Sequence, residues 1–250
     1  MPSYQARADL LKDRVILITG AGAGIGRASA LHFSRAGATC ILLDKNVPNL
    51  ESLYDEILAQ GGPEPALYPL DLEGANYTDY EEMASRIEEN FGRLDGILHN
   101  AAVVGSLTPM HLYNIESWYK VMQINLHAPF MINHACLGLL TRAPDASIVF
   151  LSDAVGRKGR AYWGAYGASK FAVEGMMQIL ADELEQNTPV RVNSLDPGKV
   201  RTRMRTLTYP GEDPMTVPDV NTVMPALLYL MGPDSKGETG KAFLASDFTG

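Results

Sequence analysis

The sequence predicts a single α/β domain built on a doubly wound parallel sheet, and three observations lead to this fold class. Short runs of β-branched and aliphatic residues alternate with helical patterns along the chain, as they do where right-handed crossovers join parallel strands. A glycine-rich turn directly follows the first apolar run. The 250 residues, 46% of them hydrophobic, suit one compact core, and no repeat, low-complexity tract or linker divides residues 1–250.

The apolar runs give the strands in order. The first, "RVILITG", predicts a buried strand that runs into the glycine-rich turn, and the last, "KAFLA", lies near the end of the chain. Strands are predicted at residues 14–20, 39–44, 66–72, 94–101, 146–152, 189–198 and 241–245.

Between these runs, apolar residues recur at helical spacing. Glycines mark the ends of two of the patterns, since "NLESLYDEILAQGG" closes on a glycine pair and Gly92 follows "DYEEMASRIEENF". Helices are predicted at residues 24–36, 49–62, 79–92, 115–140, 165–186 and 223–232.

Residues 204–218 interrupt the alternation. They contain three prolines and show little periodicity, so they predict a loop. Long loops in compact domains often serve as lids over a binding site, but an ordinary surface loop has the same composition. The sequence leaves both interpretations open.

Composition excludes several classes of protein. The formal charge is −8 and no block of basic residues occurs, whereas a nucleic-acid partner requires a clustered positive face. The N-terminal stretch has no apolar run long enough for a signal peptide or a membrane span, so no membrane association is expected. Cys40 and Cys136 lie in apolar surroundings, which fits buried thiols in a reducing cytoplasm.

The turn "TGAGAGIG", residues 19–26, has the features of a phosphate-binding loop. Gly20 permits a tight turn, Gly24 lets the backbone approach a pyrophosphate, and Gly26 lets helix and strand pack closely, while the helix N-terminus offers free N–H groups. Because Ile25 stands where a strict G-x-G-x-x-G has its third glycine, the pattern is T-G-x-x-x-G-x-G. Glycines also occur at plain strand-to-helix turns, but the position after the first strand favours a nucleotide site.

Asp44 ends the second predicted strand, twenty residues after Gly24. A carboxylate there accepts hydrogen bonds from the ribose hydroxyls of a dinucleotide and repels a 2′-phosphate. The other interpretation of Asp44 is a turn or helix cap, and the neighbouring Lys45 could hold a 2′-phosphate. Ala23 adds no second positive charge to the turn. The predicted cofactor is therefore NAD rather than NADP.

With "TGAGAGIG", "YGASK" and this order of elements, the chain resembles the short-chain dehydrogenase/reductase family, in its single-domain Rossmann-type form of about 250 residues. The resemblance covers about residues 12–244. It implies hydride exchange between a nicotinamide cofactor and a small-molecule alcohol or carbonyl, with no metal ion. It also implies a homo-oligomer.

The resemblance assigns two more pairs of residues to the cofactor. Asp71 and Leu72, in "PLDL", take the family position beside the adenine ring. Asn100 and Ala101, in "HNAA", stand where the family has N-N-A-G, and Asn100 matches the residue that braces the central sheet beside the cofactor. His99 departs from that pattern, and we expect the change to be tolerated.

Two further matches lie later in the chain. Asn125, in "MQINLHAP", corresponds to the helical Asn that holds a water in the family's proton relay. The run "DPGKVRT" matches P-G-x-[VI]-x-T, with Asp196 in place of the usual Asn. The residues implied to hold the nicotinamide end are Pro197, Gly198, Val200 and Thr202.

Tyr166 and Lys170 are four residues apart, so a helix places both side chains on one face. A tyrosine with an ordinary pKa near 10 is a poor base at neutral pH. A nearby ammonium and the positive nicotinamide of an oxidised cofactor both lower that pKa, which lets the phenol exchange a proton with substrate. The resemblance implies that Lys170 also holds the nicotinamide ribose.

Asp153 occupies an unusual position. The family has a catalytic Ser thirteen residues before the Tyr, and Gly156 and Gly159 support this register. Strand alternation points Ser152, one place earlier, to the other face. An ionised Asp can only accept a hydrogen bond, and its charge raises the pKa of Tyr166. Loss of one oxyanion donor costs about 2.7–4 kcal/mol, or roughly 10²–10³ in rate.

Four interpretations of Asp153 stay open. Burial could keep it neutral and make it a donor, or a backbone rearrangement could bring Ser152 to the substrate. The substrate could carry its own donor, such as an amine. The chain could also be a nicotinamide-nucleotide-binding regulator without turnover. The combination of Asn125, Tyr166 and Lys170 favours the oxidoreductase, with the silent regulator as the alternative.

The surroundings of the site suggest a substrate and an assembly. Residues 115–140 and 165–186 carry more apolar residues than a one-sided helix needs, which indicates a contact with a partner. The family resemblance implies that these helices form a contact between copies of the chain, so a dimer or tetramer through them is predicted. Their extra apolar residues include Phe130, Met131, Phe171, Met176 and Met177. A mostly apolar pocket is predicted from Val103, Val104, Trp163 and Met204, which suits steroid, fatty or aromatic alcohols better than sugars.

Overall fold

The computed structural model describes residues 4–248 and contains one sheet of seven parallel strands. The strands are β1 Val15–Thr19, β2 Thr39–Asp44, β3 Ala66–Pro69, β4 Gly96–His99, β5 Ala146–Leu151, β6 Val190–Asp196 and β7 Ala242–Leu244. Their order across the sheet is β3-β2-β1-β4-β5-β6-β7. The predicted doubly wound α/β fold is confirmed.

Helices cover both faces of this sheet. Within the described residues they are α1 Gly24–Arg35, α2 Val47–Ala59, α3 Tyr77–Phe91, α4 Ile115–Met122, α5 Ala128–Leu140, α6 Gly164–Glu185, α7 Arg203–Thr208 and α8 Met224–Met231. Side chains alternate along β1, so that Ile16 faces a core with α1, α2 and α8, while Leu17 faces a core with α3, α5 and α6. This two-sided burial explains the continuous apolar runs of the central strands.

The carboxyl ends of β1 and β4 form a crevice. These strands are neighbours, yet the chain leaves β1 into α1 on one face and continues from β4 towards α4 and α5 on the other. Connections that diverge in this way leave an open cleft beyond the strand ends, where doubly wound sheets bind their ligands.

Two predicted elements differ from the structure. The helix predicted over residues 115–140 is two helices joined by a π-turn, Gln123–His127, because one extra residue widens the turn there. The loop predicted over residues 204–218 is wrong in its first part, since α7 begins at Arg203. The Thr202 hydroxyl starts this helix by accepting a hydrogen bond from the Arg205 amide at 3.2 Å.

The apolar residues of the long helices divide between core and surface. Phe130 and Phe171 are 56% and 45% exposed, as a contact with a second chain would require. Met177 is fully buried against the sheet, and Met131 and Met176 pack against the same core, so these three do not form an outer apolar face. In residues 4–248, no helix has the length and apolar character needed to cross a membrane.

Candidate functional site

A cleft of about 330 Å³ opens at the carboxyl ends of the strands. It brings together residues that are far apart in sequence but that the sequence analysis had assigned to one site. The predicted site residues that line it are Gly20, Gly24, Ile25, Asp44, Asp71, Leu72, Asn100, Ala101, Tyr166, Lys170, Pro197 and Thr202.

The glycine turn packs too tightly for side chains. A Cβ on Gly26 would lie 2.2 Å from the Gly20 carbonyl oxygen, and a Cβ on Gly20 would lie 2.9 Å from Asn100 Nδ2. Gly20 and Gly24 also have positive φ angles of 67° and 55°. Gly26 lies behind the cleft, where its role is the close packing of helix and strand.

The first turn of α1 has no side-chain cap. Its N-cap residue is Ala23, which has no polar side chain to accept from the free N–H groups, and the turn contains no acidic residue. An open helix N-terminus behind a glycine turn fits a pyrophosphate, because the N–H groups and the helix dipole both favour a bound anion. The residues present therefore fit a dinucleotide.

Asn100 connects the turn to β4. Its Nδ2 donates to the carbonyl oxygens of Thr19 and Gly20 at 2.9 and 3.0 Å. In the opposite direction, the Thr19 hydroxyl accepts from the backbone amides of Asn100 and Ala101, both at 3.0 Å. These bonds hold the two strand ends that border the cleft.

The acidic residues at the far end of the cleft make specific contacts. Asp44 accepts from the backbone amides of Gly22 and Asn46 at 3.0 and 2.9 Å, so it shapes the turn as well as adding charge. Asp71 lies 3.4 Å from the Lys45 ammonium, and both side chains are about half exposed. An exposed pair of this kind is worth little, so the cofactor could displace it.

Tyr166 and Asp153 lie in contact. The Tyr166 hydroxyl donates to Asp153 Oδ2 at 3.2 Å, and Asp153 Oδ1 accepts from the Val155 amide at 2.9 Å. Ser152 lines the cleft, but its hydroxyl is buried and has no hydrogen-bond partner among the described residues. The carboxylate of Asp153, and not the Ser152 hydroxyl, therefore meets the phenol.

The pKa of Tyr166 is raised well above 10. Burial is the main cause, and the charge of Asp153 and its hydrogen bond raise the pKa further, followed by the charge of Asp196. The upward effect of Asp153 agrees with the sequence prediction. The net direction is opposite to the lowering that was expected from Lys170.

Lys170 lies beside the Tyr166 ring but does not bond to its hydroxyl. Its ammonium donates to the Leu151 carbonyl at 2.6 Å and lies 5.6 Å from the centroid of the Tyr166 ring. Burial lowers the pKa of Lys170 to about 8, although nearby carboxylates, Asp153 first among them, oppose this. The side chain is thus a buried cation beside the phenol, bonded to β5 rather than to the hydroxyl.

Asn125 lies in the middle of the π-turn, buried behind the cleft. Its Oδ1 accepts from the Val103 amide at 2.9 Å, and its Nδ2 donates to the Val103 carbonyl at 3.0 Å and to Ser169 Oγ at 3.1 Å. Both amide hydrogens are therefore used within the protein. Ser169 in turn donates to the Tyr166 carbonyl at 2.8 Å, which connects Asn125 to the helix that carries the tyrosine.

The segment after β6 meets the cleft only in part. Pro197 and Thr202 line it, whereas Gly198 does not and Val200 is buried in the hydrophobic core. Asp196 accepts from the Gly198 amide at 2.8 Å, and burial raises its pKa. That these four residues hold the nicotinamide end stays a prediction, with Pro197 and Thr202 placed in the lining of the cleft.

The predicted substrate pocket is also matched in part. Val103 and Met204 line the cleft, whereas Val104 and Trp163 do not. Trp163 nevertheless lies beside the reactive phenol, with its ring centroid 5.6 Å from that of Tyr166. The phenol therefore has an aromatic neighbour in Trp163 and charged neighbours in Asp153 and Lys170.

Known proteins resemble this chain in sequence and in fold. A model of the short chain dehydrogenase family matches residues 14–213. The chain belongs to this family. It is 47% identical over 240 residues to the uncharacterized oxidoreductase YciK of Escherichia coli K12, which covers 96% of this chain and 94% of that one.

Solved structures of short chain dehydrogenases have the same fold. One from Pseudomonas syringae is 51% identical, has a TM-score of 0.95 and covers 97% of this chain and 98% of its own. Another, from Shigella flexneri, is 47% identical with a TM-score of 0.93, covers 96% and 100%, and is complexed with NADP. Members of the family bind nicotinamide cofactors, and the cleft described here fits one.

Three residues near the site had been given no role by the sequence analysis. Arg203 lines the cleft directly after Thr202. Ser169 joins Asn125 to α6, and His99 is buried at the end of β4 with its ring stacked on Phe150. The position of Arg203 after the motif Thr was visible in the sequence, but only the fold shows which side of the loop faces the cleft.

Proposed function

We propose that the protein is an oxidoreductase that interconverts an alcohol and a carbonyl with NAD(H) as its cofactor. The presence of Tyr166 and Lys170 together in the lining of the cofactor cleft carries this proposal, because the phenol is a group that can exchange a proton with a substrate. The bound nicotinamide would supply the hydride chemistry. A small-molecule substrate would lie against Tyr166 and the neighbouring Trp163 ring.

Four side chains have separate roles in the proposed proton transfer. Tyr166, with its raised pKa, carries its proton at neutral pH and donates it to the substrate oxygen as that oxygen gains negative charge. Lys170 places a positive charge beneath the phenol, where it stabilises a phenolate. Asp153 accepts the phenol hydrogen bond and orients the ring. Asn125 positions α6 through Ser169.

The choice of NAD(H) rests on Asp44. Its carboxylate is held by two backbone amides at the end of β2, so its negative charge is fixed near the ribose position. Lys45 is the neighbouring cation that would favour a 2′-phosphate, and its exposed contact with Asp71 is too weak to withhold it, so the assignment depends on the fixed charge of Asp44. These contacts support NAD(H) for this chain, although the Shigella relative holds NADP.

Nucleotide titration tests this choice. NADH should bind more tightly than NADPH, and Asp44→Asn should narrow the gap by about tenfold because it removes one charge while keeping one of the two oxygens that accept from the backbone amides. Asp44→Ala should narrow it too, with an added loss for both nucleotides as the turn loosens. Lys45→Gln serves as the control for the neighbouring cation. Tighter binding of NADPH by the unmodified protein would contradict the assignment.

A second function, a nucleotide-binding regulator without turnover, has its own support. The Tyr166 hydroxyl points its proton at a carboxylate, and Lys170 bonds a backbone carbonyl. Both features weaken proton exchange with a substrate.

Turnover measurements separate the two functions. Following NADH over a panel of ketones and secondary alcohols should reveal activity, and Tyr166→Phe should abolish it while NADH binding remains. Binding of NADH without turnover of any panel member would favour the regulator.

Three further features belong to the same proposal. Residues 204–218 form a lid segment over the cleft, supported by Met204 in its lining and by the 6.2 Å approach of the Tyr209 ring to Trp163. The chain assembles as a dimer or tetramer through its long helices. Its two buried free cysteines suit the cytoplasm.

A further inference from the structure

Three cationic side chains line the cleft, and they differ in their partners. The Lys45 ammonium lies 3.4 Å from Asp71, and the Lys170 ammonium donates to the Leu151 carbonyl. Arg203 is exposed, and within residues 4–248 its guanidinium has neither an ion-pair partner nor a hydrogen-bond acceptor. A free cation in a nucleotide cleft is available to a bound anion.

The position of Arg203 is set by its neighbours. Thr202 accepts from the Arg205 amide and so starts α7, which makes Arg203 the first residue of that helix. The Thr202 methyl carbon lies 3.5 Å from the point where a Cβ on Gly24 would stand. Because Gly24 is the first residue of α1, Arg203 starts directly beside the N-terminal turn of that helix.

The glycine turn offers backbone N–H groups to a bound anion but no charged side chain. Residues 19–26 contain no charged side chain. Arg27, one residue further, pairs with Glu56 at 2.7 Å and donates to the Asn49 carbonyl. A pyrophosphate would bring negative charge into a protein that already carries a net charge of −8. The N–H groups of α1 offset part of this charge, and a cation across the cleft would offset more.

We propose that Arg203 binds the pyrophosphate of the nicotinamide cofactor, opposite the first turn of α1. This inference rests on the proposed function. It also links two parts of the site, because Arg203 lies immediately before the lid segment, at the start of α7. Binding of the cofactor would hold that segment in place before a substrate enters.

Equilibrium binding of NADH, ADP and the nucleoside adenosine tests the inference. Arg203→Gln should weaken the binding of NADH and of ADP by about tenfold each, since one charge-assisted contact is lost, and should leave the binding of adenosine, which has no phosphate, unchanged. Arg203→Lys should recover part of the affinity because it keeps the charge but loses the bidentate geometry. Lys199→Gln is the matched control: Lys199 is a nearby exposed cation outside the cleft lining, and this variant should bind all three ligands as the wild type does.

Two further readouts separate phosphate binding from a structural role. The affinity for NADH should fall with ionic strength in the wild type and fall less steeply in Arg203→Gln. Hydrogen exchange in residues 203–209 should slow on addition of NADH in the wild type and in Lys199→Gln, but not in Arg203→Gln. Thermal unfolding should be the same for all variants, because Arg203 has no partner to lose.

The outcomes are distinct. If the wild type binds NADH and Arg203→Gln binds NADH and ADP as tightly as Lys199→Gln, the inference is overturned and the proposed function stands. If the loss is confined to NADPH and 2′-phosphorylated nucleotides, Arg203 holds the 2′-phosphate instead, and the inference is again wrong. If the wild type binds neither NADH nor NADPH, the inference and the proposed function fall together.

Discussion

Replacing Asp153 by Ser tests the reactive centre most directly. The carboxylate accepts the Tyr166 hydroxyl hydrogen bond at 3.2 Å and contributes to the raised pKa of that phenol. A Ser at this position would offer a donor in place of an acceptor and would remove a negative charge. We expect Asp153→Ser to reduce simple ketones faster than the wild type does.

The distance sets the scale of the effect. Two unit charges 3.2 Å apart repel by about 5 kcal/mol at an effective dielectric constant of about 20, and by about 1 kcal/mol in bulk water. Asp153 is partly exposed, so the repulsion between carboxylate and phenolate lies between these limits. A restored donor to the substrate oxygen adds about 10²–10³ in rate where its geometry is good. Either effect alone is measurable.

The assay is reduction of generic ketones with NADH across pH, together with oxidation of secondary alcohols with NAD. Asp153→Asn is the matched control, because it keeps the size of the side chain, removes the charge and supplies an N–H donor. In both variants the rise of the oxidation rate with pH should move to lower pH, since one cause of the raised pKa of Tyr166 is gone.

One result would refute this reasoning. If the wild type turns over well while Asp153→Ser and Asp153→Asn are slower at every pH, the carboxylate is not a weakened form of a Ser. It would then have its own task, such as holding a substrate that carries a hydrogen-bond donor or a positive charge.

Three other predictions concern the turn, the core and the assembly. Gly26→Ala should destabilise the protein by about 1–3 kcal/mol and weaken NADH binding, because its Cβ would lie 2.2 Å from the Gly20 oxygen. Gly138→Ala, with open space around it, should change neither property. Urea unfolding measures the stability, and nucleotide titration measures the binding. Burial lowers the pKa of His99 to about 4. Between about pH 6.5 and about pH 4, His99 is therefore protonated in the unfolded chain but neutral in the folded chain. About 3 kcal/mol of stability should be lost as the pH falls from about 6.5 to about 4, and His99→Asn should lack that part of the pH dependence in urea unfolding. Phe130→Ser with Phe171→Ser should convert the predicted dimer or tetramer to a monomer by light scattering, and a monomeric wild type at micromolar concentration would contradict the assembly.

Much of the fold could be predicted because the central strands are buried on both faces. Such strands give apolar runs that need no tertiary information, and β2 begins and ends where the sequence predicts. The ends of other strands extend less far than predicted. The pairing of β3 stops at Pro69, since it depends on its neighbour β2 and not on its own residues. The π-turn at Asn125 leaves no mark in the apolar spacing, so the two helices looked like one.

The contacts in the site could likewise be predicted only in part. The family resemblance places Asp153 at the position of the catalytic Ser, thirteen positions before Tyr166, and so implied that these side chains would meet; the two groups do lie in contact. The partner of Lys170 could not be predicted in the same way. A long flexible side chain chooses among all nearby acceptors, and the Leu151 carbonyl is identified only by its place at the end of β5.

The raised pKa of Tyr166 also bears on the direction of the proposed reaction. Reduction of a carbonyl needs a phenol that carries its proton, and this form dominates throughout the neutral range when the pKa is well above 10. Oxidation of an alcohol needs the phenolate. Its population is about tenfold smaller for each unit by which the pH lies below the pKa. The charge of Asp153 therefore lowers the population of the form that starts oxidation, since it repels the phenolate but leaves the neutral phenol in place. Because the equilibrium constant of the reaction is fixed, Asp153→Asn should change kcat/KM by the same factor in both directions at a given pH. The expected asymmetry lies in kcat at saturating substrate, which should rise by a larger factor for alcohol oxidation than for ketone reduction.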